Sequence, residues 1–296
     1  MHGKHYGFVM MLLALGAAAV AQAQEDGADR LTVPFSDPAR PGVIRVGLLN
    51  GSIRIVGHDA KEVLLEARVR SEDEGDAHEV HVGDEGADES GRSRSAGMRR
   101  LRNTATGLEV EEEGNVMEVR AEAMNRTVDV ALKVPRRTSL ELNTVNDGDI
   151  TVESVEGDIE VNNTNGAVTL TNVSGSVVAH ALNEDVVVRF VKVDPKKSMS
   201  FSSLNGDIDV TLPADVRANV RVKSDNGDVF TDFDMQMERR NPSVEETKEK
   251  AKGKKYRVRV DSSMSGTLNG GGQELRFETF NGSIYIRKKQ APGAGG

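Results

Sequence analysis

The residues best placed to do chemistry are a recurrent set of aspartates, Asp149, Asp158, Asp185, Asp207 and Asp228, four of which directly follow a glycine. Regularly spaced carboxylates beside turn glycines suit calcium. Calcium-binding β-roll repeats, however, need paired glycines with an aspartate two residues beyond the second. Here Asp follows a single Gly, and Ala167 and Ser176 interrupt the series. Each Asp is therefore expected to cap its own turn, with calcium the weaker reading. His78-Glu79-Val80-His81 is one residue short of the two-histidine zinc helix and lies in a Gly- and Asp-rich stretch. His58 and His180 stand alone and read as structural. With no cysteine in the chain there is no thiol nucleophile, thiolate metal site or disulfide framework. No Gly-x-Ser-x-Gly elbow, phosphate loop or dinucleotide fingerprint occurs. Carboxylates are abundant enough for glycoside or lyase chemistry. Against that use, every aromatic after Phe35 falls between Phe190 and Tyr285, where a role in filling the C-terminal core outweighs a binding patch. No catalytic, cofactor-binding or metal residue and no cofactor is therefore expected.

The elements that position these aspartates come from one repeated phrase, a turn glycine followed by alternating β-branched residues. It reads Asn50-Gly51-Ser52-Ile53, Gly148-Asp149-Ile150-Thr151-Val152, Gly157-Asp158-Ile159-Glu160-Val161 and Gly166-Ala167-Val168-Thr169-Leu170. Later copies are Gly175-Ser176-Val177, Asn205-Gly206-Asp207-Ile208-Asp209-Val210, Asn226-Gly227-Asp228-Val229 and Asn281-Gly282-Ser283-Ile284-Tyr285-Ile286. Period-two alternation after a glycine turn predicts short strands, with the glycines supplying positive φ. Asn-Gly is also the commonest hairpin signal, so an antiparallel meander competes with a stack of parallel strands. Spacing decides between them. Positions 148, 166, 184, 206 and 227 form one row at intervals of 18, 18, 22 and 21, and Gly157, Gly175, Pro195 and Pro213 form a second row midway between. Two strands per coil explains both rows.

The second and fourth residues after each turn should point inward: Ile150 and Val152, Ile159 and Val161, Val168 and Leu170, Ile208 and Val210, Ile284 and Ile286. Burying each contributes about 1.5–3 kcal/mol, so one coil cannot offset its own ordering and several must stack. Outward positions are polar except at Val178, Val187, Phe230 and Tyr285. The asparagines at 50, 165, 205, 226 and 281 tolerate the turn and could form a stacked amide ladder.

The expected fold is therefore an all-β, single-chain parallel β-solenoid of two short strands per coil of 18–22 residues, with an N-terminal β-rich capping region. Residues 24–139 form that region, with Gly114-Asn115 turning a hairpin and a charged loop at 71–107. The loop carries nine acids and no base from Ser71 to Ser90, then five arginines and no acid from Gly91 to Gly107. It reads as solvated chain, with pairing of its two halves as the alternative. Residues 140–289 carry the repeats, interrupted by a helical insert at 238–255 that opens on a Ser243–Glu246 capping box. Residues 290–296 form a disordered tail. At the other end, Lys4, an apolar run from Phe8 to Val20 and Ala21-Gln22-Ala23 predict a signal peptide, residues 1–23. The chain carries a formal charge of −9; removal of that segment leaves 37 cations against 47 anions, or −10. Such a field disfavours nucleic acid and anionic lipid.

The phrases Asn-Gly-Asp-Ile-Asp-Val and Thr-Phe-Asn-Gly-Ser-Ile-Tyr-Ile, with the repeats between Gly148 and Ile159, resemble the bacterial putative-adhesin domain family of unknown function. The resemblance is strong from about Leu140 to Arg287 and weaker over Val43 to Val134. It implies an envelope setting and brings no catalytic residues. The expectation is a non-enzymatic periplasmic, secreted or cell-surface protein with an adhesin-like or scaffold role. Its partner would be a protein or glycan of the cell envelope, or a second copy. A polysaccharide-active β-helix enzyme and a self-assembling scaffold are the alternatives.

Overall fold

The structure, a computed structural model, describes residues 28–70, 106–121, 126–237 and 263–290, together with the backbone of 20–22. The predicted helix at 238–255, the His78–His81 motif, nearly all of the charged loop, the tail beyond residue 290 and the leader before residue 20 lie outside the described residues. Within them the only regular structure is strand.

In chain order the strands are β1 (Val20–Gln22), β2 (Ala28–Pro34), β3 (Gly42–Asn50), β4 (Ile53–His58), β5 (Glu62–Val69), β6 (Leu108–Glu113) and β7 (Val116–Ala121). There follow β8 (Val128–Pro135), β9 (Thr138–Asn146), β10 (Ile150–Glu153), β11 (Glu156–Asn163), β12 (Val168–Ala181), β13 (Val186–Val193) and β14 (Met199–Ser203). The last are β15 (Ile208–Leu212), β16 (Ala218–Ser224), β17 (Val229–Thr231), β18 (Gln236–Met237), β19 (Met264–Leu268), β20 (Gln273–Thr279) and β21 (Ile284–Lys288). They form one mostly parallel sheet that splits into two rows of neighbours. One row runs β6, β7, β3, β9, β11, β12, β14, β20, β16, β19, β18. The other runs β1, β2, β5, β8, β4, β10, β12, β13, β15, β21, β17. β12 is long enough to serve both, its first half in one row and its second in the other.

Each rung is a strand from one row, a tight corner, and a strand from the other. The rungs meet in parallel register with like over like: Ile53, Ile150, Val168, Val186, Ile208, Ile284 and Val229 lie on one line. All of the inward residues expected from the sequence are at most 2% exposed. They join one continuous aliphatic core. Toward the C-terminal end Phe190, Phe201 and Phe277 thicken it, with Phe201 and Phe277 stacked at 5.1 Å.

Rung order departs from chain order at both ends. The β3/β4 rung lies between β7/β8 and β9/β10, and β20/β21 lies between β14/β15 and β16/β17. The row of turns read as 206 then 227 is therefore corrected, because Gly282 sits between them. The two rungs nearest the chain ends are thus held on both sides instead of fraying. The division expected at 139/140 falls inside a continuous sheet, since β3 pairs with β9 over Gly42–Asn50. Antiparallel strands close the ends: β5, β2 and β1 beyond β8, β6 beyond β7, and β19 and β18 beyond β16. β6 exposes Glu109, Glu111 and Glu113, charges that discourage edge-to-edge pairing. The Gly114-Asn115 hairpin forms as expected, both residues having positive φ.

Candidate functional site

The turns at Gly51, Gly148, Gly166, Glu184, Gly206, Gly282 and Gly227 lie at one corner, where a chain of asparagine amides runs along the stack, while those at Gly157 and Gly175 lie at the other. Asn146 Nδ2 donates to Asn50 Oδ1 (3.1 Å), Asn165 to Asn146 (3.0 Å), and Asn183 to Asn165 (2.6 Å). Asn205 then donates to Asn183 (2.9 Å), Asn281 to Asn205 (2.9 Å) and Asn226 to Asn281 (3.0 Å). Every amide points the same way, so the bonds polarise one another. Five of these asparagines were anticipated from the Asn-Gly dipeptide. Asn146 and Asn183 were not, because an acidic residue follows each. The signal that finds all seven is distance from the inward residue: each asparagine lies four positions after Val46, Leu142, Val161, Ala179, Phe201, Phe277 or Val222.

The aspartates do not cap their own turns, which corrects the sequence reading. The carboxylates of Asp149, Asp158, Asp185 and Asp207 reach the next rung instead. Asp149 Oδ1 accepts from the Ala167 amide (2.9 Å), Asp185 from Asp207 (2.7 Å) and Asp207 from Ser283 (2.7 Å). Asp129 accepts from Ser52 in the same way (2.9 Å). On the inner side of the corner, Thr144, Asn163, Ser203, Thr279 and Ser224 donate to turn carbonyls of the neighbouring rung. These short polar side chains satisfy backbone acceptors that have left the strand ladder.

The turn glycines also have another reason than the one expected. Among the corner glycines only Gly51 has positive φ. The others are required because a Cβ would strike the adjacent backbone: at Gly282 it would lie 2.2 Å from the Gly206 carbonyl oxygen, and at Gly227 2.0 Å from that of Gly282. Close rung-to-rung approach selects glycine here.

Three parallel rows therefore mark the outer surface of this corner. One position before each ladder asparagine stand Leu49, Val145, Thr164, Leu182, Leu204, Phe280 and Asp225. Four of these are exposed apolar residues: Leu49 (43%), Val145 (40%), Leu204 (41%) and Phe280 (46%). Beyond the asparagines run the acids Asp147, Asp149, Glu184, Asp185, Asp207 and Asp228. On the other flank, Gly47, Asn143, Asn162, His180 and Ser202 carry no full negative charge, and the row ends in Glu278 and Lys223, which pair with each other. Arg70 closes the N-terminal end: its guanidinium pairs with the Asp129 carboxylate, and it donates to Ser52 Oγ (2.9 Å) and the Asp147 carbonyl (2.7 Å). The Asp129 bond holds the Arg70 pKa above its ordinary value. An open depression of about 600 Å³ lies here, lined by Ser52, Arg70, Asp147, Asn165, Asn183 and Glu184 among others.

The remaining candidates fall elsewhere. Asp158, at the opposite corner, binds Ser176 Oγ (2.6 Å) and Lys197 Nζ (2.5 Å), which together lower its pKa, Lys197 first. His58 meets the Glu62 carbonyl within its own turn, and His180 the Ser202 hydroxyl on the neighbouring rung. Among the described residues no three His, Asp or Glu side chains converge to hold a metal ion, and no helix is long and apolar enough to cross a membrane. The aromatics divide: Phe190, Phe201, Phe233 and Phe277 are buried, whereas Phe230 stacks openly on Tyr285 at 5.1 Å with Arg287 over the tyrosine ring.

Fold and corner together define an all-β protein of parallel, laddered strands with an unusually uniform edge. Residues 90–269 match the Toastrack DUF4097 family, and the chain belongs to it. The matched range leaves out β3, β4, β20 and β21, the rungs inserted out of chain order. No curated protein matches the sequence. Among solved structures, a putative cell adhesion protein from Clostridium sporogenes is similar, with 10% identity over 88% of this chain and 100% of that one and a TM-score of 0.40. A putative adhesin from Bacteroides fragilis is similar at 8% identity over 90% and 98% of the two chains, with a TM-score of 0.32.

Proposed function

We propose that this chain is a short parallel β-solenoid of two strands per coil that is exported and works by binding, as an adhesin-like or scaffold protein of the cell envelope. The observation that carries the reading is the corner: seven rungs share an amide ladder, flanked in common register by an apolar side chain on five of them and by acids on four. A stack is the cheapest way to repeat one surface motif along a line, and a line of identical groups suits adhesion. The apolar run ending at Ala21-Gln22-Ala23 supports export. In this reading the protein uses no catalytic residue and no metal.

The test is to express the full chain in a Gram-negative host, fractionate the cells, and measure retention of purified protein on envelope preparations. Export together with retention that falls when Leu204 and Phe280 become serine is the expected result. Retention independent of those positions, or turnover of envelope glycans lost on mutating a carboxylate, would overturn it. The Phe230–Tyr285 stack beside Asp209 and Arg287 favours a second reading, a glycan ligand, because planar rings and paired polar groups complement a pyranose. Loss of glycan-array binding in Phe230→Ala checks it.

A further inference from the structure

We infer that the asparagine corner is a docking edge for a cationic amphipathic α-helix of a partner protein, an inference that rests on the binding role proposed above. Spacing argues for a helix. Rungs repeat every ~4.8 Å, so the apolar row spans about 24 Å over the five steps from Leu49 to Phe280. A helix returns a side chain to the same face about every 5.4 Å, which drifts from the row by only about 3 Å over that length. An extended strand returns one about every 6.7 Å and drifts by about 10 Å, two whole rungs. The row therefore stays in step with helical turns, and its length corresponds to roughly 16 helical residues. Residues spaced i, i+3, i+4 and i+7 would supply the apolar anchors.

Charge sets the rest of the partner. Asp147, Asp149, Glu184, Asp185 and Asp207 line one flank of the row, while Asn143, Asn162, His180 and Ser202 line the other as far as Glu278, whose carboxylate is paired with Arg276 and Lys223. A matching helix carries lysine or arginine along one side of its apolar stripe and uncharged polar residues along the other. The carboxylates that accept a neighbouring amide do so through Oδ1, and Asp149 and Asp185 are exposed, so they remain accessible to such cations. The overall charge of −9 attracts the same partner at long range.

The experiment titrates full-length protein with a labelled 18-residue peptide of leucine, lysine and alanine built to this pattern, followed by anisotropy. A scrambled peptide of the same composition is the control. The designed peptide should bind, and the scrambled one should bind at least about tenfold more weakly. L204S/F280S and D149N/D207N should each weaken binding by about tenfold or more, the second losing its salt dependence. Both pairs are surface changes, and Asn keeps the Oδ1 acceptor, so an unchanged melting temperature certifies the fold. Equal binding of scrambled and designed peptides, or unchanged affinity in both variants, overturns the inference. If envelope retention persists while no helical peptide binds, the docking edge fails and the binding role stands; if retention fails too, both fall.

Discussion

The two corners of the stack solve the same problem differently. At the asparagine corner the chain takes seven positions from one inward residue to its partner in six of seven rungs, as from Val161 to Val168 or Phe201 to Ile208. The seventh, from Leu142 to Ile150, takes eight, and the extra residue is Asp147 with φ 57°. At the opposite corner the corresponding distances are ten from Leu132 to Leu142, nine from Val152 to Val161 and from Leu170 to Ala179, thirteen from Val188 to Phe201, and twelve from Val210 to Val222. The four residues that lengthen a coil from 18 to 22 enter there, in Asp194-Pro195-Lys196-Lys197 and its surroundings. One corner transmits register and the other absorbs variation. Stacked polar groups bond only to copies of themselves at a fixed spacing, so the laddered corner tolerates no change of length without a bulge.

Four perturbations would break or sharpen that contrast. The largest effect belongs to Gly282→Ala, whose new Cβ has a carbonyl at 2.2 Å and no flexible neighbour to displace. Urea unfolding should show a loss of about 3 kcal/mol or more. Gly47→Ala, which meets nothing within 4 Å on the open face, should change stability by less than about 1 kcal/mol. An equal effect at both glycines would end the claim that rung contact selects glycine at the corner.

Asn205→Ala comes next, since it deletes two amide bonds in mid-ladder. A loss of about 1–2 kcal/mol is expected, against about 0.5 kcal/mol for Asn162→Ala, which loses one bond to Asn143. Coupling between Asn183→Ala and Asn205→Ala in a double-mutant cycle would confirm that the ladder acts as a unit.

Asp147→Gly probes the single irregular rung. Relief of a left-handed aspartate should stabilise by up to about 1 kcal/mol in thermal melts, and destabilisation would show that Asp147 contributes more than its backbone carbonyl.

The smallest effect is electrostatic and lies at the opposite corner. Asp158 is lowered and Lys197 raised, each chiefly by their mutual bond. The Asp158 contribution is present above the ordinary carboxylate value and lost as pH falls through its lower folded value. The Lys197 contribution is complete below the ordinary lysine value and lost as pH rises through its higher one. Both groups are about half exposed and screened by solvent, so Lys197→Met should lower the melting temperature at pH 7 by less than any other destabilising change described above. The difference from wild type should vanish once the pH falls below the lowered folded value of Asp158. A difference that persists there would mean the lysine acts by packing.

Much of this was legible in the chain because alternation and turn chemistry are local. Ile150, Val168 and Ile208 announce inward strands by period two alone, and 18-residue spacing separates a stack from a hairpin meander. Neighbour choice is not local. Every rung offers nearly the same edge, so nothing near residue 206 or 282 says that Gly282 belongs between Gly206 and Gly227. The same blindness hid the direction of the aspartates: the carboxylate of Asp207 has an amide of its own turn two bonds away in sequence terms, yet it bonds Ser283, 76 residues distant.

Sequence by itself therefore determined what a rung is: two short strands, an aliphatic interior, a polar exterior and a tight corner. Tertiary structure alone decided how rungs are ordered, why glycine is needed at the corner, and that seven asparagines, a row of apolar side chains and a row of acids share one edge. The physical reason is that a rung is specified by neighbours along the chain, whereas a ladder is specified by neighbours about 4.8 Å across it.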